Sequence, residues 1–174
     1  MRRISVVGSS GSGKTTFARQ LARKLQLPHV ELDALCWDPD WTYVDDTTFL
    51  RRVDAATRAD AWVADGNYTR AKEILLVRAD TVVWLDVPFG ICLARLLRRT
   101  AQTLVTREPL WSGNRDSWRR QLSRDSLVWW LIRSYRRRRK ELEARFFGPQ
   151  REFPHLDVRR FGSSAEAQAW LDAL

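Results

Sequence analysis

Apolar residues recur along the chain with two different spacings. Short segments in five places read as strands: residues 4–7, 29–32, 61–64, 81–87 and 158–161; the first is a β-branched run that ends at Gly8, the pattern of a buried strand. Helical spacing or composition marks the segments between and after them: residues 15–25, 45–59, 88–100, 116–147 and the stretch that follows Ser163 or Ser164. Because strands that alternate with helices form parallel sheets covered on both faces, the pattern predicts a three-layer α/β/α fold.

One longer segment, residues 101–114, shows neither spacing. Its polarity is mixed and it contains Pro109, Gly113 and Asn114, so we expect a loop there. The chain has no internal repeat and no low-complexity linker, and 174 residues suit one domain. Residues 1–174 are therefore expected to form a single α/β domain.

A glycine-rich sequence joins the first predicted strand to the first predicted helix. Residues 8–15 read Gly-Ser-Ser-Gly-Ser-Gly-Lys-Thr and match G-x-x-x-x-G-K-[ST] in full. Glycines let the backbone curl so that amide groups point at phosphate oxygens, and the N-terminus of the next helix adds positive potential. An ordinary Gly/Ser turn is the alternative, which the flanking strand and helix disfavour. The residues expected to contact a nucleotide are Gly8, Ser9, Gly11, Ser12, Gly13, Lys14, Thr15 and Thr16.

Three side chains at the end of this loop carry specific expectations. Lys14 is expected to reach the β- and γ-phosphates as a point charge and so to be catalytic. The Thr15 hydroxyl is expected to ligate Mg²⁺, and Thr16 is a candidate for the α-phosphate. ATP and Mg²⁺ are therefore the expected cofactors.

Two aspartates end neighbouring predicted strands. Asp65, in Asp65-Gly66, would lie at the carboxyl edge of the sheet, where it can hold Mg²⁺ through water. Its alternative is a plain Asp-Gly turn. Asp33 ends the second strand at the same edge and is a catalytic candidate that would orient or deprotonate an acceptor hydroxyl, or else a capping or turn residue.

Arginines follow the fourth predicted strand. Arg95 and Arg99 are four positions apart and share a helix face, so one could stack on adenine while the other meets the phosphates. Further arginines, Arg107, Arg115 and Arg119, lie in or just after the loop. A lid over residues 101–119 that brings an arginine over the γ-phosphate would exclude water from the transfer.

Taken together, these residues resemble the adenylate-kinase-like P-loop kinases. The resemblance rests on the loop at residues 8–15, on Asp65-Gly66, and on the helix after Val87-Pro88 with its arginine pair. The resemblance implies a P-loop NTPase fold with a five-stranded parallel sheet of nucleoside-monophosphate-kinase type, a substrate-binding segment at about residues 33–60 and a lid.

A narrower resemblance is to the proteins named "DNA topology modulation protein". It rests on Leu32-Asp33-Ala34-Leu35 with Trp37 and Trp41, on Asp65-Gly66-Asn67-Tyr68 and on Ala79-Asp80-Thr81, and it covers nearly the whole chain. One departure from adenylate kinases matters. They follow Asp-Gly with Phe-Pro-Arg, whose arginine holds the monophosphate, whereas here Arg70 is displaced by one position.

The chain as a whole is strongly basic. The formal net charge is +9, and only four of the 30 basic residues are lysines. Arginine makes bidentate contacts with phosphate oxygens, which fits a nucleotide or a nucleic acid as ligand. The run at residues 136–140 either contacts nucleic-acid phosphates weakly and without sequence preference or is a solvated helix end.

The cysteines, the histidines and the apolar runs indicate which kind of site and which cellular compartment to expect. Cys36, Cys92, His29 and His155 are isolated in sequence, which disfavours a zinc site and suggests a reducing compartment. No apolar run is long enough for a membrane span, so we expect a soluble cytoplasmic protein, a monomer or homodimer. An aromatic group, Trp37, Trp41, Tyr43 and Tyr68, either forms a stacking wall or packs internally.

Two functional hypotheses follow. The first is a Mg²⁺-dependent kinase that transfers the γ-phosphoryl group of ATP to a nucleoside- or nucleotide-like small molecule. The second is a regulatory ATPase that affects DNA topology through non-specific DNA binding. A GTPase is disfavoured because the chain has no Asn-Lys-x-Asp motif.

Overall fold

A computed structural model describes residues 1–106, 110–114 and 126–174. The main sheet contains β1 (Arg3–Gly8), β2 (His29–Glu31), β5 (Trp62–Asp65), β6 (Thr81–Leu85) and β7 (Asp157–Phe161). All neighbours in it are parallel, in the order β2-β5-β1-β6-β7. A separate antiparallel hairpin pairs β3 (Trp37–Asp38) with β4 (Thr42–Tyr43). The predicted five-stranded parallel sheet is therefore confirmed.

Helices cover both faces of this sheet. They are α1 (Lys14–Leu25), α2 (Leu32–Cys36), α3 (Asp46–Ala56), α4 (Lys72–Arg78), α5 (Phe89–Thr106), α6 (Leu127–Phe147) and α7 (Ser164–Asp172). Short 3₁₀ turns lie at Pro39–Trp41, Thr69–Ala71 and Trp111–Gly113. One apolar core joins the sheet to α3, α4 and the end of α6, and the other joins it to α1, α5, α7 and the start of α6.

The alternation of side chains along each strand explains why two cores form. Ile4 and Val6 of β1 enter one core, whereas Val7 enters the other, because successive residues of a strand point to opposite faces. Burial on both faces makes β1 and β6 almost wholly inaccessible to water. The carboxyl ends of β1, β2 and β5 consequently meet at one buried edge of the sheet.

Several element boundaries differ from the predictions. Helix α5 continues to Thr106 rather than ending near residue 100, because Leu104 extends its buried stripe and Thr103 bonds back to the Arg99 carbonyl at 2.9 Å. The predicted loop at 101–114 is thus helical over its first six residues. The sequence patterns did not predict α2, α4 or the β3–β4 hairpin, which are too short to establish a period.

The segment predicted as a lid is described only in part. Residues 110–114 form a turn, while residues 107–109 and 115–119, with Arg107, Arg115 and Arg119, lie outside the described residues. Within the described ranges, no helix has the length and apolarity needed to cross a membrane.

Candidate functional site

The glycine-rich loop lies at the carboxyl end of β1, and α1 begins directly after it. Gly8, Gly11 and Gly13 have φ values of +151°, +79° and +92°. A Cβ at Gly11 would lie 2.2 Å from the Cys92 carbonyl oxygen, so no other residue fits there without a backbone shift. The loop therefore depends on its glycines for both its curvature and its contact with α5.

A pair of side-chain amide contacts fixes the first residue of this loop. The Gly8 amide donates to Asn67 Oδ1 at 3.1 Å, and Asn67 Nδ2 donates to the Gly8 carbonyl oxygen. The carbonyl of Asn67 accepts from Arg138 Nη1 at 3.0 Å, and the Arg138 guanidinium stacks over Trp130 at 4.2 Å. Asn67, in the turn after β5, and Arg138 of α6 thus support the glycine-rich loop together.

Lys14 folds back over the loop. Its Nζ donates to the Ser9 carbonyl oxygen at 3.1 Å. Burial lowers the pKa of Lys14, and the charges of Arg99 and Arg138 lower it further, whereas Asp33 and Asp65 act in the opposite direction. The charges of Asp33 and Asp65 thus act on the lysine of the loop and favour its charged form.

Asp65 has both carboxylate oxygens engaged. Oδ2 accepts from Thr15 Oγ1 at 2.6 Å, and Oδ1 lies 2.8 Å from His29 Nε2. The Asp65 side chain is only 3% exposed, so these contacts hold it in one orientation. The predicted pairing of Asp65 with Thr15 at the metal-binding position is consistent with this geometry, and His29 is an additional member.

Asp33 lies at the start of α2 and faces the same edge. Tyr68 donates its hydroxyl to Asp33 Oδ1 at 2.6 Å. Burial raises the pKa of Tyr68, as does the charge of Asp33, so the phenol stays a hydrogen-bond donor at neutral pH. This contact holds the Asp33 carboxylate through its Oδ1.

Glu31 adds a third carboxylate at the end of β2. Trp111 Nε1 donates to its Oε1 at 2.8 Å, and Arg19 lies 3.6 Å from its Oε2. Burial raises the pKa of Glu31, although the Trp111 hydrogen bond opposes the shift, and the charges of Asp65 and Asp33 raise it too. The three acids therefore share one region of negative potential.

The arginine pair of α5 is divided between two positions. Arg95 Nη1 donates to Ser164 Oγ at 2.9 Å and lines a pocket of about 320 Å³ with Gly13, Thr16 and Gln168. Arg99, one turn further along α5, acts on Lys14 instead. Arg95 therefore contacts the start of α7, whereas the charge of Arg99 acts on Lys14.

The described part of the predicted lid packs on the β3–β4 hairpin. Asn114 accepts from the Trp41 amide at 2.8 Å and donates to the Asp38 carbonyl at 2.9 Å. Ser112 donates to the Trp37 carbonyl oxygen at 2.6 Å. The Trp111 ring contacts Trp41 edge to face, with centroids 6.4 Å apart. The lid tip and the predicted substrate-binding segment are therefore joined directly.

The four aromatic residues Trp37, Trp41, Tyr43 and Tyr68 pack in two different places. Trp37 makes edge-to-face contacts with Trp41 and Tyr43, at centroid distances of 5.5 and 5.0 Å. Tyr68 instead packs on Phe49 of α3 at 4.9 Å. Internal packing accounts for Tyr68, while Trp41 also meets the lid tip.

The basic run on α6 does not form a single surface. Arg139 makes two hydrogen bonds to the buried Asp86, at 2.8 and 3.0 Å, and Arg137 pairs with Glu141 at 3.5 Å. Arg138 points to Asn67, as described above. Among the described contacts no partner is seen for Arg136 and Lys140, which are exposed. Half or more of the run thus serves contacts within the domain.

Sequence reasoning missed several residues of this site. His29 and Glu31 stand two positions apart on β2, so their side chains share one face of the strand that precedes Asp33, and this alternation was the available signal. Asn67 follows Asp65-Gly66 directly, and the family resemblance includes this residue without assigning it a role. No sequence signal indicated Arg138, because the packing of the 21-residue helix decides which of its residues face the site.

No protein-family model and no curated protein matches this chain. Solved structures of small kinases do match it over nearly its whole length. A shikimate kinase from Bacteroides thetaiotaomicron is 16% identical, has a TM-score of 0.59 and covers 99% of this chain and 95% of its own. For a shikimate kinase from Acinetobacter baumannii, solved with shikimate, the values are 19%, 0.58, 99% and 90%.

A gluconokinase from Sinorhizobium meliloti 1021 is similar at 16% identity and a TM-score of 0.53, over 99% of this chain and 92% of its own. At these identities the likeness concerns the fold alone. It does not bear on the narrower resemblance to the DNA topology modulation proteins. The chain has the three-layer α/β/α fold of the small P-loop kinases, as its sequence predicted.

Proposed function

We propose that this protein is a Mg²⁺-dependent kinase that transfers the γ-phosphoryl group of ATP to a hydroxyl group of a small molecule. The observation that carries the proposal is the hydrogen bond of 2.6 Å from Thr15, beside Lys14 in the glycine-rich loop, to Asp65 at the end of β5, with Asp33 following the neighbouring strand β2. A phosphate-binding lysine, a metal-orienting acid and an acid available to an acceptor are the parts that phosphoryl transfer needs.

The loop fits a triphosphate. Its three positive-φ glycines leave an open backbone cradle, and among the described residues Ser12 Oγ is buried without a hydrogen-bond partner. A buried hydroxyl without a partner is costly, and a phosphate oxygen in the cradle would satisfy it. Magnesium, when bound, supplies charge neutralisation between the phosphates. Thr15 Oγ1 would ligate it, and Asp65 would hold it through water.

The other side chains divide the remaining tasks. Lys14 would contact the β- and γ-phosphates, and Arg99 and Arg138 would offset the charge that develops on the transferred group. Arg95 would face the adenine, since its pocket lies on the outer side of Gly13. Thr16 lines the same pocket, within reach of the α-phosphate.

Asp33 would act on the acceptor. Its Oδ1 accepts from Tyr68, which holds the carboxylate in place. There it would accept the proton of the acceptor hydroxyl as the oxygen attacks the γ-phosphorus. The lid tip, which contacts the hairpin through Asn114 and Trp111, would exclude water from the transfer.

Two findings support a small-molecule acceptor. The fold is shared with solved shikimate kinases and a gluconokinase, and the basic run that suggested nucleic acid is largely engaged within the domain. The sequence resemblance to DNA topology modulation proteins is compatible with the same site, because it rests on residues around Asp33 and Asp65.

The test is a screen of ADP release from MgATP against nucleosides, nucleotides, sugars and small acids, with Lys14→Ala as the blank. We expect release that depends on an acceptor and that disappears in the variant. Release that is the same without any acceptor and rises with DNA would instead identify the regulatory ATPase.

A further inference from the structure

The hydrogen-bond ladder between β1 and β5 continues past the end of β5 through a side chain. Its last residue pair is Val6 with Asp65, and one more backbone bond joins the Gly66 amide to the Val6 carbonyl oxygen at 3.3 Å. Gly8 and Asn67, which bond next, stand at the same offset of 59 positions as the paired residues. The Asn67 side chain therefore takes the place that a further stretch of strand would occupy beside Gly8.

A carboxamide suits this place because Gly8 presents both a donor and an acceptor. The Gly8 amide donates to Asn67 Oδ1 at 3.1 Å, and Asn67 Nδ2 donates to the Gly8 carbonyl oxygen. An ionised carboxylate could only accept, and an aliphatic side chain of similar size could do neither. Asn67 thus satisfies both polar groups of a backbone residue that lies beyond the end of β5.

The same turn holds both ends of the glycine-rich loop. At the beginning of the loop Gly8 bonds to Asn67, and at its end Thr15 Oγ1 donates to Asp65 Oδ2 at 2.6 Å. Asp65 and Asn67 are two positions apart, so the length of the turn limits how far the two ends of the loop can separate. The turn therefore sets the span of the backbone cradle that would face the phosphates.

The turn is itself held by two helices. A Cβ on Gly66 would lie 2.8 Å from Leu32 Cβ, so the turn packs directly on α2. Arg138 of α6 donates from Nη1 to the Asn67 carbonyl oxygen at 3.0 Å, and its guanidinium lies 4.2 Å from the Trp130 ring centroid. Because α2 and α6 both contact the turn, its side chains meet the loop from a fixed position.

The loop needs such support because its own backbone is permissive. Within residues 8–15, three glycines have positive φ values. Glycine loses more conformational freedom than any other residue when it is ordered. A loop that is ordered only on binding lowers the affinity for its ligand, whereas contacts that order it beforehand raise that affinity.

We propose that Asn67 is a positioning residue of the phosphate site, which pre-forms the cradle by bonding both backbone groups of Gly8. Its effect falls on the phosphate chain of the nucleotide and needs no metal. This distinguishes it from Asp65, whose charge would serve Mg²⁺. The inference rests on the proposed kinase function, because it assumes that the loop binds a nucleotide.

The experiment measures the binding of ADP and of a non-hydrolysable ATP analogue by calorimetry, once with EDTA and once with Mg²⁺. Asn67→Leu keeps the approximate side-chain volume but removes both bonds to Gly8. We expect the Kd of each nucleotide to rise about tenfold, by the same factor with EDTA and with Mg²⁺. Asn67→Ser, whose hydroxyl is too short to bond both groups, should show a similar rise and replaces the leucine variant if that variant does not fold.

A control and a second readout separate positioning from general stability. Thr69→Ala changes an exposed side chain two positions further along and should bind both nucleotides as the wild type does. In protein labelled with ¹⁵N-glycine, NMR gives the hydrogen-exchange rate of the Gly8 amide without nucleotide. We expect slow exchange in the wild type and in Thr69→Ala, and exchange at least about tenfold faster in the Asn67 variants.

The outcomes separate the two proposals. Wild-type affinity in the Asn67 variants overturns the inference, even if their Tm is lower, because Asn67 would then support only the fold. A rise in Kd confined to Mg²⁺, or an unchanged exchange rate at Gly8, overturns it as well. Failure of the wild-type protein to bind either nucleotide overturns the kinase proposal itself.

Discussion

The phosphate loop and the substrate-binding segment lie on one sheet edge but are built in different ways. The loop takes its shape from glycine backbone angles and from short-range contacts such as that between Lys14 and the Ser9 carbonyl. The segment from α2 to α3 takes its shape from side chains far apart in sequence, among them Arg70 with Asp46 and Asn114 with Trp41.

This difference has a functional counterpart. If the protein is the proposed kinase, its loop, which is defined by backbone geometry, would bind the triphosphate, the part of the substrate that never changes. A segment defined by side-chain contacts can be altered residue by residue, so it is the natural place for acceptor specificity. Variants on the two sides should therefore fail in different ways, and the predictions below exploit that contrast.

The largest effect is expected at the loop. Lys14→Ala should lower turnover by at least about 100-fold, because the ammonium is the group that meets the transferring phosphate. Steady-state kinetics with MgATP give the value, and circular dichroism checks folding. Lys24→Ala, on the same helix but bonded to the carbonyls of Leu171 and Asp172, is the control and should retain turnover. A Lys14 variant with normal turnover would remove the loop from the mechanism.

A smaller effect is expected where the loop meets β5. Asp65→Asn should weaken Mg²⁺-dependent turnover by about 10- to 100-fold and leave metal-free nucleotide binding nearly unchanged, since only the metal needs the charge. Titration of Mg²⁺ at fixed ATP measures the first quantity and calorimetry the second. Asp80→Asn, which alters the backbone cap of Arg2 and Arg3 at the opposite end of the sheet, is the control.

If Asp65→Asn changes Mg²⁺-dependent turnover and metal-free nucleotide binding equally, or changes neither, Asp65 is a turn residue that only supports the loop. The control should change stability without changing the magnesium dependence.

His29 should contribute through Asp65. His29→Leu removes the contact at 2.8 Å and is expected to raise the Mg²⁺ concentration needed for half-maximal turnover by about tenfold. His29→Gln, which can place an amide nitrogen near Asp65, should restore most of it. His155→Leu is a matched histidine variant, because His155 contacts only the Leu76 carbonyl among the described bonds. Equal behaviour of the leucine and glutamine variants at His29 would mean that the contact does not orient Asp65.

On the acceptor side the change should appear in stability. Arg70→Ala is expected to lower the free energy of unfolding by about 1–2 kcal/mol, through loss of the aromatic contacts with Phe49 and Tyr43 and of a partly exposed ion pair, with MgATP binding unaltered. Thermal unfolding measures it, and Arg51→Ala on the exposed face of α3 is the comparison. A normal Tm together with a raised KM for one anionic acceptor would show that Arg70 binds substrate.

The smallest effect concerns nucleic acid. Within the run at 136–140, only Arg136 and Lys140 are exposed and without described partners, so the run should bind DNA weakly and without sequence preference, with an affinity that falls with salt at a log–log slope of about −2. Fluorescence anisotropy at several salt concentrations gives the slope, and the double alanine variant should abolish it. Tight binding to one sequence at physiological salt would contradict the account.

The contrast also explains what the sequence could predict. The loop at residues 8–15 was predictable because its motif fixes both residue types and spacing, and the strands at residues 4–7, 61–64 and 81–87 were predictable because burial requires apolar residues there. Asp65 and Asp33 followed from strand ends. The pairing of Asn67 with Gly8, the approach of Arg138 and the enclosure of Arg70 depend on packing between distant elements, which no local pattern encodes.

Even where the prediction named the right residues, packing decided their use. Arg95 and Arg99 were expected to share adenine and phosphate contacts, but Arg95 bonds to Ser164 at 2.9 Å, whereas the charge of Arg99 acts on Lys14. The run at 136–140 was conspicuous in sequence, yet Asp86 takes up Arg139.

Phosphorus NMR of the reaction mixture tests the central claim most directly, because it distinguishes transfer from hydrolysis. The protein is incubated with MgATP and the acceptor that gives the highest ADP release, with Lys14→Ala in parallel. The account predicts a phosphomonoester resonance that grows in step with ADP, splits by coupling to carbon-bound protons and is absent in the variant. Inorganic phosphate as the sole product, formed at the same rate without acceptor, would contradict it.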